Sequence, residues 1–207
     1  MAVLWEKFYP YIQPYLPGCP EVVIEAHLKE AAADFLARSE IWRFDIDNDF
    51  TSKSTQDYDL DVPTGAILEN IYEIVLNEVT LARVSDKHVR VSSFRTNSRP
   101  MYYSIYQDTS IRFYPTPDKK YTFYGVGVLK NSLAATGVED WVYETHGRCI
   151  SYGAISRLAE VPGKEWHNPE LANYYRVKFD KDADIAKSRD YRRVNLRVSG
   201  PNFAGRR

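Results

Sequence analysis

The chain has 207 residues and a net charge of −1, with 44% hydrophobic and 27% charged residues, the proportions of an ordinary globular protein. At this length folding buries about 70% of the unfolded surface, so a core needs neither cross-links nor metal. Cys19 and Cys149, far apart in sequence, exclude a disulfide framework and a cysteine-ligated zinc site and suit a reducing cytoplasm.

No basic region followed by an apolar run opens the chain, and no apolar stretch is long enough to span a bilayer; the expected product is soluble and intracellular when made, with no membrane partner. The first segment, FYPYIQPYLPGCP, holds Pro10, Pro14, Pro17 and Pro20. Prolines this dense fix φ and remove donors, which predicts an extended, aromatic-bearing stretch. Residues 21–39 read as a helix: Pro20 suits a helix start, and Ile24, Leu28, Ala31 and Phe35 follow the 3.6-residue period. After Trp42 the period becomes two. Phe44, Ile46 and Phe50 alternate with Asp45, Asp47 and Asp49, and Tyr58, Leu60 and Val62 with Asp57, Asp59 and Asp61. Two strands joined by TSKSTQ are the reading. Further strands are predicted at 67–76, 79–84, 102–106, 111–114 and 121–129, and strands without intervening helices favour an antiparallel sheet. A second helix is expected at 138–161 and a third at 168–187. Asn168 serves as cap, Pro169 as first residue, and Leu171, Tyr175, Phe179, Ala183 and Ala186 as packing stripe. Their short connection predicts an antiparallel hairpin. Fold class is therefore α+β: an N-terminal helix and a C-terminal helix hairpin packed with an antiparallel sheet from about 41 to 130. One domain is expected over 1–187, followed by an extended basic arm, 188–207.

Little in the chain is arranged for catalysis or metal binding. The Asp45-x-Asp47-x-Asp49 run fails as an EF-hand, because its sixth and twelfth positions are Phe50 and Gln56. It reads as a solvated strand face or, in a ring, as carboxylates (Asp45, Asp47, Asp49, Asp57, Asp59, Asp61) that line a channel and repel DNA. His146 and Cys149 share a helix face, but a nucleophilic thiol needs exposure and a third, orienting group. No P-loop, G-x-S-x-G or H-E-x-x-H is present, and Gly125 and Gly127 stand in a strand. Neither metal nor cofactor is implied. Residues 186–207 carry seven basic side chains and one acidic, which leaves −7 on the remainder. Such an arm suits a protein partner, nucleic acid or solvent. The abundance of tyrosine, 16 residues, fits either a sheet or half-buried interfaces.

Taken in order, the helix at 21–39 with Ile41-Trp42-Arg43, then Ile111-Arg-Phe-Tyr-Pro-Thr-Pro117 and Tyr121, then Glu165-Trp-His-Asn-Pro169 with Leu171-Ala172 and Tyr174-Tyr175, resemble the head-to-tail adaptor proteins of short-tailed bacteriophages. The likeness spans about residues 20–186. It implies a non-enzymatic virion protein at the head–tail interface. Such a protein forms a twelvefold ring beneath the portal, extends the DNA channel without reading sequence, and carries the tail nozzle or fibres. Transferred residue by residue, it makes Arg189, Tyr191, Arg192, Arg193, Arg197 and Phe203 portal-docking candidates. Trp141, Gly147, Gly153, Trp166 and Tyr175 become subunit-interface candidates, and Arg95, Arg99, Tyr102 and Tyr103 tail-facing ones. A virion cell-wall hydrolase built on Cys149 and His146, and a nucleic-acid-binding protein using the basic arm, are the alternatives from other classes.

Overall fold

The computed structural model describes residues 2–85 and 97–198, with the side chains of 48, 49 and 190–198 outside the description. The chain is mixed α+β and divides into two compact units. Met1–Ile41 and Gly137–Arg207 form a helical unit, and Trp42–Thr136 form a β unit inserted into it in sequence.

In the helical unit, β1 (Ala2–Leu4) pairs antiparallel with β10 (Gly137–Glu139). The proline-rich segment is not extended as expected. Trp5–Phe8 make a 3-10 turn and Tyr9–Ile12 a short helix, α1, with Pro10 in its first turn. The reason is spacing: Trp5, Phe8, Ile12 and Leu16 recur every three or four residues and are all buried, so the burial of this face outweighs the prolines, which are tolerated in a first turn. Helix α2 (Glu21–Ser39) starts after Pro20 and ends on Glu40 in the left-handed region. Helix α3 (Asp140–Ala159) begins two residues later than predicted, because Val138 belongs to β10. Asn168 caps α4 (Pro169–Val198), its side-chain oxygen accepting the Leu171 N–H at 3.0 Å. The helix runs on eleven residues past the predicted boundary at 187. Among the described side chains its last buried position is Ala186, but no Gly or Pro intervenes before Gly200-Pro201, and Arg, Leu and Lys continue a helix at little cost.

Three helices share one core. Gly153 of α3 brings α3 within contact of Phe179 on α4 and Ala31 on α2. Phe179 packs on Phe35 and lies under the guanidinium groups of Arg38 and Arg157. Those two arginines pair with Asp180 and Asp34, tying α2 to α4 and α3 to α2.

The β unit holds two sheets where one was expected. The first has order β2-β9-β4-β5 and the second β3-β8-β7-β6. Strand β2 (Arg43–Phe50) pairs with β9 (Thr122–Asn131), and β3 (Asp57–Asp59) with β8 (Ser110–Tyr114), so the two acidic strands are not partners. Both sheets turn their apolar faces to one core that includes Ile46, Ile74, Phe123, Phe113, Ile111 and Tyr103. Residues 51–56 and 115–121 carry the chain from one sheet to the other, the second through a cis Tyr114-Pro115 bond. The predicted strand at 79–84 is broken at Leu81 into β5 (Val79–Thr80) and β6 (Ala82–Arg83), one in each sheet. Strand β6 pairs in parallel with β7 (Tyr102–Tyr106); every other pairing among the described residues is antiparallel. Asn77 and Glu78, both at positive φ, turn β4 (Ala66–Leu76) into β5, the two-residue hairpin geometry that matches strand twist. Gly125 is required where β9 meets the bulged β4: a Cβ there would lie 2.3 Å from the Glu73 carbonyl oxygen.

Candidate interaction surfaces

The residues singled out for an interface divide by burial. Gly147 and Gly153 are enclosed: Gly147 lies against Tyr143 and Phe8, and Gly153 against Phe179 and Ala31. Their small size is used inside the subunit, between its own helices. Tyr175 is also buried, whereas Trp141, on the first turn of α3, is 41% exposed. Trp166 is half-buried, with Lys164 over its ring.

Around Tyr175 the structure assembles a group that spacing alone did not reveal. Tyr15, Tyr152 and Tyr174 each place a ring centroid 5.1–5.4 Å from that of Tyr175. Lys178 lies one turn along α4, its Nζ 4.4 Å from the Tyr174 centroid and 5.4 Å from that of Tyr152. Burial, then the Tyr15 hydroxyl, push the Tyr175 phenol above its ordinary range, and the Tyr174 hydroxyl holds Lys178 protonated. The cluster is thus neutral rings around one fixed cation, with Tyr15 and Tyr174 half exposed. Such rigid, amphipathic area is what protein interfaces select. The sequence carried one signal for it, the Tyr174-Tyr175 pair with Lys178 at i+4 and i+3.

Of the basic arm candidates, Arg189 is exposed at the rim of an open recess with Lys181, Asp184, Ile185 and Ser188. Positions 189, 192, 193 and 197 follow i, i+3, i+4, i+8 on α4, a spacing that puts the four positions on one side of the helix. Tyr191 is helical in backbone, and Phe203 lies outside the described residues.

In the β unit, Arg95 lies outside the described residues, and Tyr103 is enclosed in the core, its hydroxyl bonded to the Ile71 carbonyl. Arg99 donates from one Nη to the carbonyls of Leu76 and Asn77 and so braces the β4–β5 turn; Tyr102 is half-buried. Segments 51–56, 77–78, 97–101 and 115–121 meet at one end of this unit, joined by Ser54 N–H to the Pro117 carbonyl, Asn97 to Ser54 and Ser98 N–H to the Thr116 carbonyl. Exposed Met101 and Phe50 stand there, the latter beneath Lys120. The acidic set does not form one face. Asp45 and Asp47 are exposed on β2. Asp57, in the other sheet, binds both the Nε and an Nη of Arg112, while Asp59 accepts from Ser110 and Asp61 is exposed. The Asp49 side chain is outside the description.

The thiol and imidazole of α3 are packing groups. Cys149 is 5% exposed and directs its Sγ–H at the Phe179 carbonyl, and burial pushes its thiol up to about 12. A thiol at that value carries essentially no thiolate near neutral pH. His146 rests on Phe35, and burial, then Arg189, lower its pKa. Among the described residues no group of His, Cys, Asp or Glu is placed to hold a metal ion, and no helix is long and apolar enough to cross a membrane.

Comparison with known families matches residues 13–201 to the family model of the SU10 adaptor protein. A search of curated proteins returned no match.

Proposed function

Because the chain belongs to the SU10 adaptor protein family, from which a structural role in the phage particle follows, we propose that it forms a ring between portal and tail. The observation that carries this reading is the far end of α4. Beyond Ala186, the last buried position among the described side chains, α4 continues to Val198, about 18 Å more, with four arginine positions on one face. A cationic helix of that length is suited to an acidic groove on a larger partner. We assign it to the portal, with Arg189, Arg192, Arg193 and Arg197 as the contacts and Tyr191 and Phe203 as further portal-docking residues.

In this arrangement α3 and α4 act as a helix hairpin that builds the ring wall, and Trp141, Trp166 and the tyrosine group at Tyr175 face neighbouring copies. The loop-bearing end of the β unit, with Arg99, Tyr102, Met101 and Phe50, meets the tail nozzle or fibres, and Arg95 is a further tail-facing candidate. Asp45, Asp47 and Asp61 are the carboxylates left to face the DNA channel, where like charge keeps the duplex from sticking. Copies around the ring number twelve.

Truncation after Tyr191 tests the assignment. The buried positions named above for the helical core all precede residue 192, so the shortened protein keeps its cooperative unfolding and melting temperature, losing only the helical signal of 192–198, but no longer co-sediments with portal rings. Retained co-sedimentation refutes the portal assignment.

A further inference from the structure

Helix α4 presents a second apolar stripe opposite the first. Its buried face is Ala172, Tyr175, Phe179, Ala183 and Ala186. On the other side, at steps of three and four, come Tyr174, Val177, Lys181, Ile185 and Ser188, with Tyr174 53%, Val177 60% and Ile185 37% exposed. Isolated exposed apolar residues need no explanation, but three on one line along a helix whose inner face is already satisfied mark a second packing surface. Lys178, Lys181 and Arg189 border it, against Glu170 and Asp184.

The outer face of α2 in the same unit has the opposite character. Val22, Ala26, Glu30, Ala33 and Ala37 follow steps of four, four, three and four, with Val22 81% exposed. Glu30 stands in this line, beside His27, and Lys29 and Glu25 pair along its edge. One face thus offers bulky side chains with surplus positive charge, the other small side chains with a carboxylate, Glu30, at its centre. Their lengths match: from Tyr174 to Ser188 is roughly 21 Å of helix and from Val22 to Ala37 roughly 22 Å.

We propose that, resting on the ring reading above, the outer face of α4 in one copy seats on the outer face of α2 in the next. Small residues allow the close helix approach that the Tyr174, Val177 and Ile185 side chains fill. An α4–α4 contact would oppose Lys178, Lys181 and Arg189 to themselves and would close as a two-fold dimer. The α4–α2 contact joins two different faces of one unit, so it is heterologous and repeats until the rotation closes. The tyrosine group at its start supplies an anchor already fixed by ring–ring contacts, and therefore ordered at little further cost on binding. Lys181 and Glu30 sit near the midpoints of their stripes, so they meet whether the two helices run parallel or antiparallel.

The test uses phage particles carrying the full-length chain. Glu30→Cys together with Lys181→Cys, under mild oxidation, gives a ladder of covalently linked multiples on a denaturing gel that collapses on reduction; native Cys19 and Cys149 are buried. Lys181→Glu or Glu30→Lys alone lowers the adaptor copies per particle at least about tenfold, since like charges then meet across every repeat, and the combined exchange restores them. Both positions are exposed, so the purified variants melt as the parent does. If purified particles contain several copies, yet the cysteine pair yields no ladder and the single reversals change nothing, the α4–α2 contact is refuted while the ring stands. A ladder from Trp141→Cys with Lys181→Cys, and none from the first pair, places the neighbour on α3 and equally refutes it. Particles with one copy each refute the ring itself.

Discussion

Replacing Gly153 by alanine puts the three-helix core to a quantitative test. A Cβ at this position would sit 2.8 Å from two carbons of the Phe179 ring and 3.1 Å from the Ala31 Cβ. The ring cannot retreat. It is 3% exposed, packed on Phe35, and bordered by the guanidinium groups of Arg38 and Arg157, with centroid distances of 5.7 and 5.4 Å. Forcing one methyl into such a site costs roughly 1–3 kcal/mol, while exchanging glycine for alanine in a helix returns about 1 kcal/mol. The net expectation is a loss of about 1 kcal/mol, or about 2–4 °C in melting temperature for a chain of this size. Gly147 is the internal comparison. Its Cβ would meet the Tyr143 ring at 3.2 Å and Phe8 at 3.7 Å, and Tyr143 is a half-buried side chain able to give way. Gly147→Ala is therefore neutral or stabilised by up to about 1 kcal/mol. Thermal and urea unfolding followed by helical circular dichroism separate the two variants by several degrees. If Gly153→Ala melts at or above Gly147→Ala, the claim that α3 needs a glycine to reach α4 is wrong.

Phe179→Ala removes the ring on which two helices and two arginines converge; a loss of about 3–5 kcal/mol is expected, read as a drop in the urea midpoint of the helical signal, and a loss under 1 kcal/mol would refute the central placement of that ring. Alkaline pH destabilises the fold. Cys149 has an unfolded value near 9.0 and a folded one of about 12, so the unfolded chain releases its proton first. The stability it contributes is complete below pH 9 and is lost between pH 9 and 12, up to about 4 kcal/mol. Buried Tyr103 and Tyr121, also raised, act in the same direction. Urea midpoints at pH 8, 9.5 and 11 should fall in order, and a flat series contradicts the enclosure of these groups. Arg112→Lys keeps the charge but gives up the two-nitrogen contact with Asp57 and the stacking on Tyr106, 3.6 Å from its centroid; a loss of about 1 kcal/mol is expected, and equal stability would show that the planar group is dispensable.

What could be read from residues and what could not follows from the range of each signal. Helix α2 was legible to the residue because Pro20 sets its start and the 3.6-residue period continues to Phe35. The start of α4 was legible because cap and proline occupy adjacent positions. Strand alternation over 44–50 and 57–62 was equally clear, although the second strand stops at Asp59. Alternation reports one strand's two faces and says nothing of its partner; hence the two strands joined by one loop proved to lie in different sheets. In the N-terminal segment four prolines concealed the Trp5, Phe8, Ile12, Leu16 spacing. At Gly147 and Gly153 the residue type announces close approach without saying of what, and the approach is made by the chain's own Phe8 and Phe179. The outer stripe of α4 was hidden because Lys178 and Lys181 interrupt it, though a side chain as long as lysine covers apolar surface along its stem.

The tyrosines can now be sorted by their hydroxyls. Tyr58 packs its ring between Phe113 and Phe123, while its oxygen accepts the Ser52 N–H and donates to the Thr55 carbonyl, holding the 51–56 crossing between sheets. Tyr121 reaches Asp118, Tyr103 the Ile71 carbonyl, and Tyr143, stacked edge-on to Phe8, the Lys7 carbonyl. In each case a phenylalanine would fill the same volume but leave the loop or strand atom without its bond, so the fold itself accounts for these residues. That reasoning does not reach Tyr15 and Tyr174, which are 50% and 53% exposed. Both pack edge-on against Tyr175, and Tyr174 also carries Lys178 over its ring, at the edge of an apolar stripe, an arrangement whose area stays in water unless a second molecule covers it. The surplus of tyrosine therefore has two causes, and only the second is evidence for assembly.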